Sequence, residues 1–173
     1  MQLKQIMRCV VTTAACAGSA IALLAGPANA SPESSVQDQI NDQLRDYPGG
    51  VQTAHNKVSY DGGRVVLTIP VSGTARAAAD PCATNAYCFY DGPDFTGRKL
   101  TFRDCGGNQS LTDYGFGNKT SSWVNKTRHT VEVYDKDVSP FITLWREAPG
   151  AASANVGTAA YNKADFFYTS CGT

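Results

Sequence analysis

The 173-residue chain carries 15 basic and 15 acidic side chains and is 42% hydrophobic. The balanced charge leaves no basic stripe to neutralise phosphates, which argues against a nucleic-acid partner. One long apolar run stands out, at the N-terminus, and no later run is long enough to span a bilayer.

Lys4 and Arg8 precede an apolar stretch from Cys9 to Ala25, and Ala28-Asn29-Ala30 is a small-x-small cleavage site. Residues 1–30 therefore read as a secretory signal peptide cut after Ala30, so that the mature protein is secreted and not held in a membrane. A retained membrane helix is the rival reading, but the run is short and Gly26-Pro27 would break it. A lipoprotein at Cys16 would leave the apolar Ile21–Leu24 run exposed. Cleavage leaves 13 basic and 15 acidic residues, a net charge of −2. It also removes Cys9 and Cys16. The remaining Cys82, Cys88, Cys105 and Cys171 are an even count in a small secreted chain and read as two disulfides, with three connectivities open. A zinc site is disfavoured, because there is no C-x-x-C pair and His55 and His129 are the only histidines.

Residues 31–72 form a leader without cysteine. Val36, Ile40 and Leu44 recur every four residues, which predicts a short helix capped by Ser34 or Ser35 and ended by Pro48-Gly49-Gly50. Val51 to Tyr60 and Arg64 to Val71 read as two strands of a hairpin around Asp61-Gly62-Gly63. One helix and one hairpin bury too little surface to stand alone, so this segment docks on the rest, stays loose or is removed. Residues 73–81 are small, aperiodic and read as an exposed linker, either plain or proteolytically processed.

Residues 82–173 hold the four mature cysteines and both tryptophans, with nine basic and nine acidic side chains. About ninety residues suffice for one compact β domain stiffened by disulfides. Sliding the chain by 44 residues aligns Tyr90-Asp91 with Tyr134-Asp135, Leu100 with Leu144, Gly106 with Gly150 and Asn118-Lys119 with Asn162-Lys163, and sets Trp123 on Phe167. A repeat of that length fixes architecture, and two copies suit a closed sandwich. Each copy has an alternating strand, a glycine-containing fold-over, a second strand, a loop and a last strand, which is a Greek key. In the first copy Lys99, Thr101 and Arg103 are expected on one face and Leu100 and Phe102 on the other.

The pattern aromatic-x4-aromatic-x-Gly, met by Tyr90, Phe95 and Gly97, resembles the Greek-key signature of the βγ-crystallins, and Phe116-Gly-Asn-Lys-Thr-Ser-Ser122 resembles the segment that closes such a key. Cys82-x5-Cys88 followed by Phe89-Tyr90 is similar to the start of the Streptomyces metalloproteinase inhibitor family, secreted peptidase inhibitors with a βγ-crystallin-like fold. The resemblance implies an all-β sandwich of two Greek keys over 82–173. It also implies a monomeric, non-enzymatic inhibitor without cofactor that inserts a loop into the cleft of an extracellular peptidase, a metallopeptidase first. It pairs Cys82 with Cys88 and leaves Cys105 for Cys171. It puts the inhibitory loop in the second half, around Lys136 to Glu147, where Pro140, Phe141 and Ile142 are the candidates. Phe141 and Ile142 would fill an apolar specificity pocket, or else belong to a core strand. The family's loop is braced by a second local disulfide, and this chain has no cysteine between Cys105 and Cys171.

Calcium is a further implication of the fold. Asn118 and Ser121 are its weak candidates. No metal is expected, because both copies of the motif have lost charge and a ligand. Ser121 and Ser122 are expected to pin the loop by hydrogen bonds. No catalytic constellation emerges, and Asp135 and Asp137 read as solvated turn carboxylates. The alternatives are an antimicrobial, toxin-like or carbohydrate-binding module, favoured if Tyr114, Phe116, Trp145 and Tyr161 are exposed, or a weakly calcium-binding structural protein.

Overall fold

A computed structural model describes residues 32–71, 82–103 and 106–170. The expected signal peptide and linker lie outside the described residues, as do Cys105 and Cys171.

The second part of the chain is two interlocked Greek keys. The first comprises β4 (Tyr87–Tyr90), β5 (Lys99–Phe102), β6 (Gly107–Ser110) and β7 (Ser122–Asn125); the second comprises β8 (Val131–Asp135), β9 (Ile142–Glu147), β10 (Ala152–Ser153) and β11 (Phe166–Thr169). The third strand of each key crosses to the other sheet: β6 pairs with β11, and β10 with β7. This exchange gives a four-stranded sheet, β6-β11-β8-β9, packed on the β5-β4-β7-β10 part of the other sheet. The chain thus has the all-β, βγ-crystallin-like sandwich expected of it. The last strands of the two keys, β7 and β11, begin and end 44 residues apart. Phe167 takes the place of Trp123 and sits at the centre of the core, 4.8 Å from Phe102 and 5.0 Å from Phe89 between ring centroids.

The fold-over of the first key is held by its signature residues. Gly97 has φ +78°, and a Cβ there would stand 2.0 Å from Asp91 Oδ1. Asp91 occupies that space, accepting from the Arg98 backbone N–H at 2.6 Å and from Arg98 Nε at 2.7 Å. Ser122 Oγ donates to the Gly92 carbonyl and accepts from the Phe95 N–H, and Ser121 Oγ donates to the Asp91 carbonyl. The paired serines therefore lock the fold-over to β7.

Leader residues complete the sandwich. The helix α1 (Pro32–Asp46) starts before Ser34 and Ser35, which lie inside it and not at its cap, with Pro32 tolerated in the first turn. The expected hairpin is a three-stranded meander: β1 (Val51–Ala54) and β2 (Lys57–Tyr60) are separated by a turn at His55-Asn56, followed by β3 (Val65–Thr68). β3 pairs antiparallel with β5, Leu67 opposite Leu100, which extends the first sheet to seven strands. Val36, Ile40, Val58, Tyr60, Val65, Leu67 and Ile69 join Phe89, Leu100, Phe102 and Phe116 in one core. Gln43 ties the helix down, its amide donating to Tyr60 Oη and to the Tyr114 carbonyl.

The expected two-faced β5 is buried on both sides, with Lys99 and Thr101 covered as well as Leu100 and Phe102. β5 is flanked by β3 on one side and β4 on the other, and Thr101 Oγ1 lies 3.7 Å from Cys88 Sγ. The Cys82–Cys88 disulfide folds the 82–86 segment over the outer face, where Cys82, Ala86, Cys88, Tyr90 and Val124 form a second small core with Phe95 packed against it.

Candidate functional site

The connection between β8 and β9, residues 136–141, is the exposed apolar tip of the second key. Val138, Phe141 and Ile142 are large hydrophobics that remain open to solvent, Phe141 at 59% and Ile142 at 48%. Pro140 is exposed too and follows a cis peptide bond. Phe141 and Ile142 are therefore not core-strand residues. Phe141 precedes β9, Ile142 opens it, and β9 turns inward only beyond a bulge at Leu144, after which Glu147 is fully buried.

Hydrogen bonds fix the entry to this loop. The Lys136 N–H donates to Asp165 Oδ2 at 3.0 Å, the Asp137 N–H to Asp135 Oδ1 at 2.8 Å, and the Asn118 amide to Asp137 Oδ2 at 2.8 Å. Asp165 stands 44 residues after Ser121 and Lys136 stands 44 after Gly92. A carboxylate thus pins the second fold-over from the position where a serine hydroxyl pins the first. Asp135, expected in solvent, is buried; Asp137 is exposed. Burial pushes the Asp165 carboxyl above its ordinary value, the Lys136 N–H opposes this, and the nearby Asp137 and Asp135 charges add to the rise.

Oxygens of Asp135, Asp137 and Asp165 lie within 4.8 Å of one another, the spacing a hard cation would require. Both calcium candidates serve as hydrogen-bond donors to neighbouring loop residues. Ser121 Oγ is bonded to the Asp91 carbonyl and the Asn118 amide to Asp137. Asn118 and its repeat partner Asn162 both adopt left-handed backbone, φ 55° and 54°, which asparagine tolerates and which explains their recurrence.

The exit from the loop is aromatic. Tyr134 on β8 and Phe166 on β11 are direct cross-strand neighbours with rings stacked at 4.9 Å and 14°. Phe141 packs edge-on against both at 5.5 Å. Tyr134 Oη donates to Glu132, which raises the tyrosine's pKa, and Glu132 pairs with Arg146 of β9 at 3.0 Å.

Residues 75–138 match the model of peptidase inhibitor family I36. The resemblance read from Cys82, Cys88 and the Tyr90–Gly97 signature holds. The I36 match spans the whole first key and the first strand of the second, and stops before Pro140. Among solved structures, a βγ-crystallin domain from Clostridium beijerinckii is 20% identical over 49% of this chain and 95% of its own, with a TM-score of 0.41. A structure addressing the evolution of the eye lens βγ-crystallin domain fold is 14% identical over 63% of this chain and 99% of its own, with a TM-score of 0.45. No curated protein matches.

The aromatics that would have marked a carbohydrate platform do not form one. Phe116 is buried, Tyr114 and Trp145 are half-buried, and Tyr161 alone of the four is exposed. Tyr114 is turned inward by a hydrogen bond from its hydroxyl to Asp61 and by edge contacts with Tyr60 and Phe102. No described helix is long and apolar enough to cross a membrane.

Proposed function

We propose that this protein is a secreted, monomeric and non-enzymatic inhibitor of an extracellular peptidase, a metallopeptidase first, and that Pro140, Phe141 and Ile142 enter the peptidase cleft. The I36 match supports the inhibitor class. The observation that carries the site is the solvent-exposed Phe141-Ile142 pair at the tip of a loop tethered at both ends. An apolar side chain presented on a restrained backbone suits an apolar specificity pocket, because little freedom remains to be lost on binding. Residues 31–173 are to be titrated against thermolysin-like, subtilisin-like and papain-like enzymes. Inhibition of the first is expected, and Phe141→Ala should raise the inhibition constant by about 30-fold or more, as for an interface anchor. No slowing of any of the three by micromolar protein would defeat the proposal.

We also propose that Cys105 pairs with Cys171. The β6–β11 ladder sets Gly107 opposite Thr169. The family resemblance, which pairs Cys82 with Cys88 and leaves these two cysteines for each other, supports the pairing, and the Cys82–Cys88 bond is present. A non-reducing peptide map should join these two cysteines, and a map joining either of them to Cys82 or Cys88 would refute the pairing.

A further inference from the structure

The loop at Pro140–Ile142 lacks the local disulfide that the family resemblance leads one to expect, yet it is restrained. Its two ends are held by different chemistry. At the entry, Asp165, Asp135 and Asn118 fix the backbone of Lys136 and the backbone and carboxylate of Asp137. At the exit, Phe141 stands edge-on against two rings that stack face to face. An edge-to-face contact sets the positive rim of one ring against the negative face of another, so it fixes orientation as well as distance.

Resting on the inhibitor reading above, we infer that Tyr134 and Phe166 are positioning residues, a stacked aromatic platform that braces the inhibitory loop in place of a disulfide. The platform is rigid because each member is anchored twice. Phe166 and Tyr134 are opposed in the β11–β8 ladder, and the Phe166 backbone also faces Ser110 of β6. The Tyr134 hydroxyl is bonded to Glu132, and Glu132 is held by Arg146 on β9, the strand that the loop enters. Four strands thus converge on one ring pair, and the loop leaves them through Phe141. A loop fixed in this way resists peptidase action, because the bound backbone cannot relax into the geometry that turnover requires. Without the platform the same residues would be an ordinary flexible substrate. The assignment separates two roles within one aromatic trio: Phe141 meets the partner, whereas Tyr134 and Phe166, both half-buried, do not.

The test uses residues 31–173 with Phe166→Ala, Phe166→Leu and Phe166→Tyr, read by amide hydrogen exchange and by mass spectrometry after incubation with the peptidase. Phe166→Ala should speed exchange of amides in 136–142 by about tenfold or more, given what one or two aromatic contacts contribute. Phe166→Tyr should restore the wild-type rate, and the amides of β4 and β5 should stay protected in all variants. The Ala variant should also be cleaved between residues 138 and 142 under conditions in which the wild type survives. If β4 and β5 deprotect in the Ala variant, Phe166→Leu decides the matter, since it keeps apolar bulk without a ring: faster loop exchange supports the platform and unchanged exchange overturns it. Loop exchange at the wild-type rate in a folded Ala variant likewise overturns it. A wild-type protein that inhibits nothing defeats the inhibitor reading alone, because the exchange experiment still decides whether the platform braces the loop.

Discussion

A chain shortened to begin at Cys82 is expected to be insoluble or to lack a cooperative unfolding transition, whereas residues 31–173 should unfold in a single step. The leader supplies seven buried side chains to the common core, from Val36 on α1 to Ile69 after β3. Each such side chain contributes about 1.5–3 kcal/mol by leaving water. Domains of this size have a net stability of only about 5–15 kcal/mol. Removing the leader also strips β3 from β5 and leaves Leu100 and Phe102 on an open sheet edge, a template for aggregation. A milder perturbation makes the same point without deletion. Leu67→Ala should lower the stability of the whole protein by about 3 kcal/mol, in the range for a buried leucine. The probe is built in: the two tryptophans, Trp123 and Trp145, belong to the Greek keys and none to the leader. Urea unfolding followed by tryptophan fluorescence should therefore register a leader mutation in the keys. A midpoint unmoved by Leu67→Ala would mean that the leader folds independently. One unit is expected because Leu67 packs against Leu100 as part of a continuous ladder, and because Gln43 bonds both Tyr60 of the leader and Tyr114 of the first key.

Much of this architecture is legible in the order of the amino acids, and the reasons are local. Tyr90, Phe95 and Gly97 announce the fold-over because its geometry demands a left-handed glycine and a covering aromatic, and Tyr90 and Phe95 do meet, at 5.8 Å between ring centroids. The 44-residue repeat announces the second key because each landmark recurs at the same turn or strand. What the amino-acid order does not reveal depends on contacts between distant segments. Lys99 and Thr101 look exposed by alternation, yet both are buried in a strand flanked by β3 from the leader and by β4. Val51 to Tyr60 looks like one strand because nothing between them but His55-Asn56 marks a turn. The apolar Phe141-Ile142 pair reads more readily as core strand than as loop tip, and only its exposure in the fold reverses that. Tyr134 and Phe166 are 32 residues apart and read simply as strand aromatics, since stacking is a property of the β8–β11 register. The role of Asp165 does leave a trace, as it occupies the repeat position of Ser121 and accepts a hydrogen bond where Ser121 donates one.

Glu147 should make the stability of this protein fall as pH rises from about 4.5 to about 8. Its carboxyl is fully buried at the inner end of β9; Oε1 accepts from Trp145 Nε1 at 3.0 Å, while Oε2 has no hydrogen-bond partner among the described residues. Burial pushes its pKa up to about 8, the Trp145 N–H acting weakly in the opposite direction. The proton is therefore held more tightly in the folded state than in the unfolded chain, where the carboxyl titrates near 4.5. Below that pH both states are protonated and the stabilisation is complete. Between the two values only the unfolded chain releases its proton, so stability declines by about 1.4 kcal/mol per pH unit, roughly 5 kcal/mol across the window. Above about pH 8 both states are ionised, the loss is complete, and the fold retains a buried charge with no cation beside it among the described residues. Glu147→Gln keeps an acceptor for Trp145 and cannot ionise. Its unfolding free energy in urea should stay nearly level from pH 5 to pH 8 and should exceed that of the wild type by several kcal/mol at pH 8. A gentle residual slope of the same sign is expected from Asp165, whose carboxyl is also raised by burial, and Asp165→Asn in the Gln background should remove it. Parallel pH profiles for the wild type and Glu147→Gln would show that Glu147 is solvated or neutralised in the folded protein, and the inner end of β9 would then not be as tightly closed as the packing around Trp145 indicates.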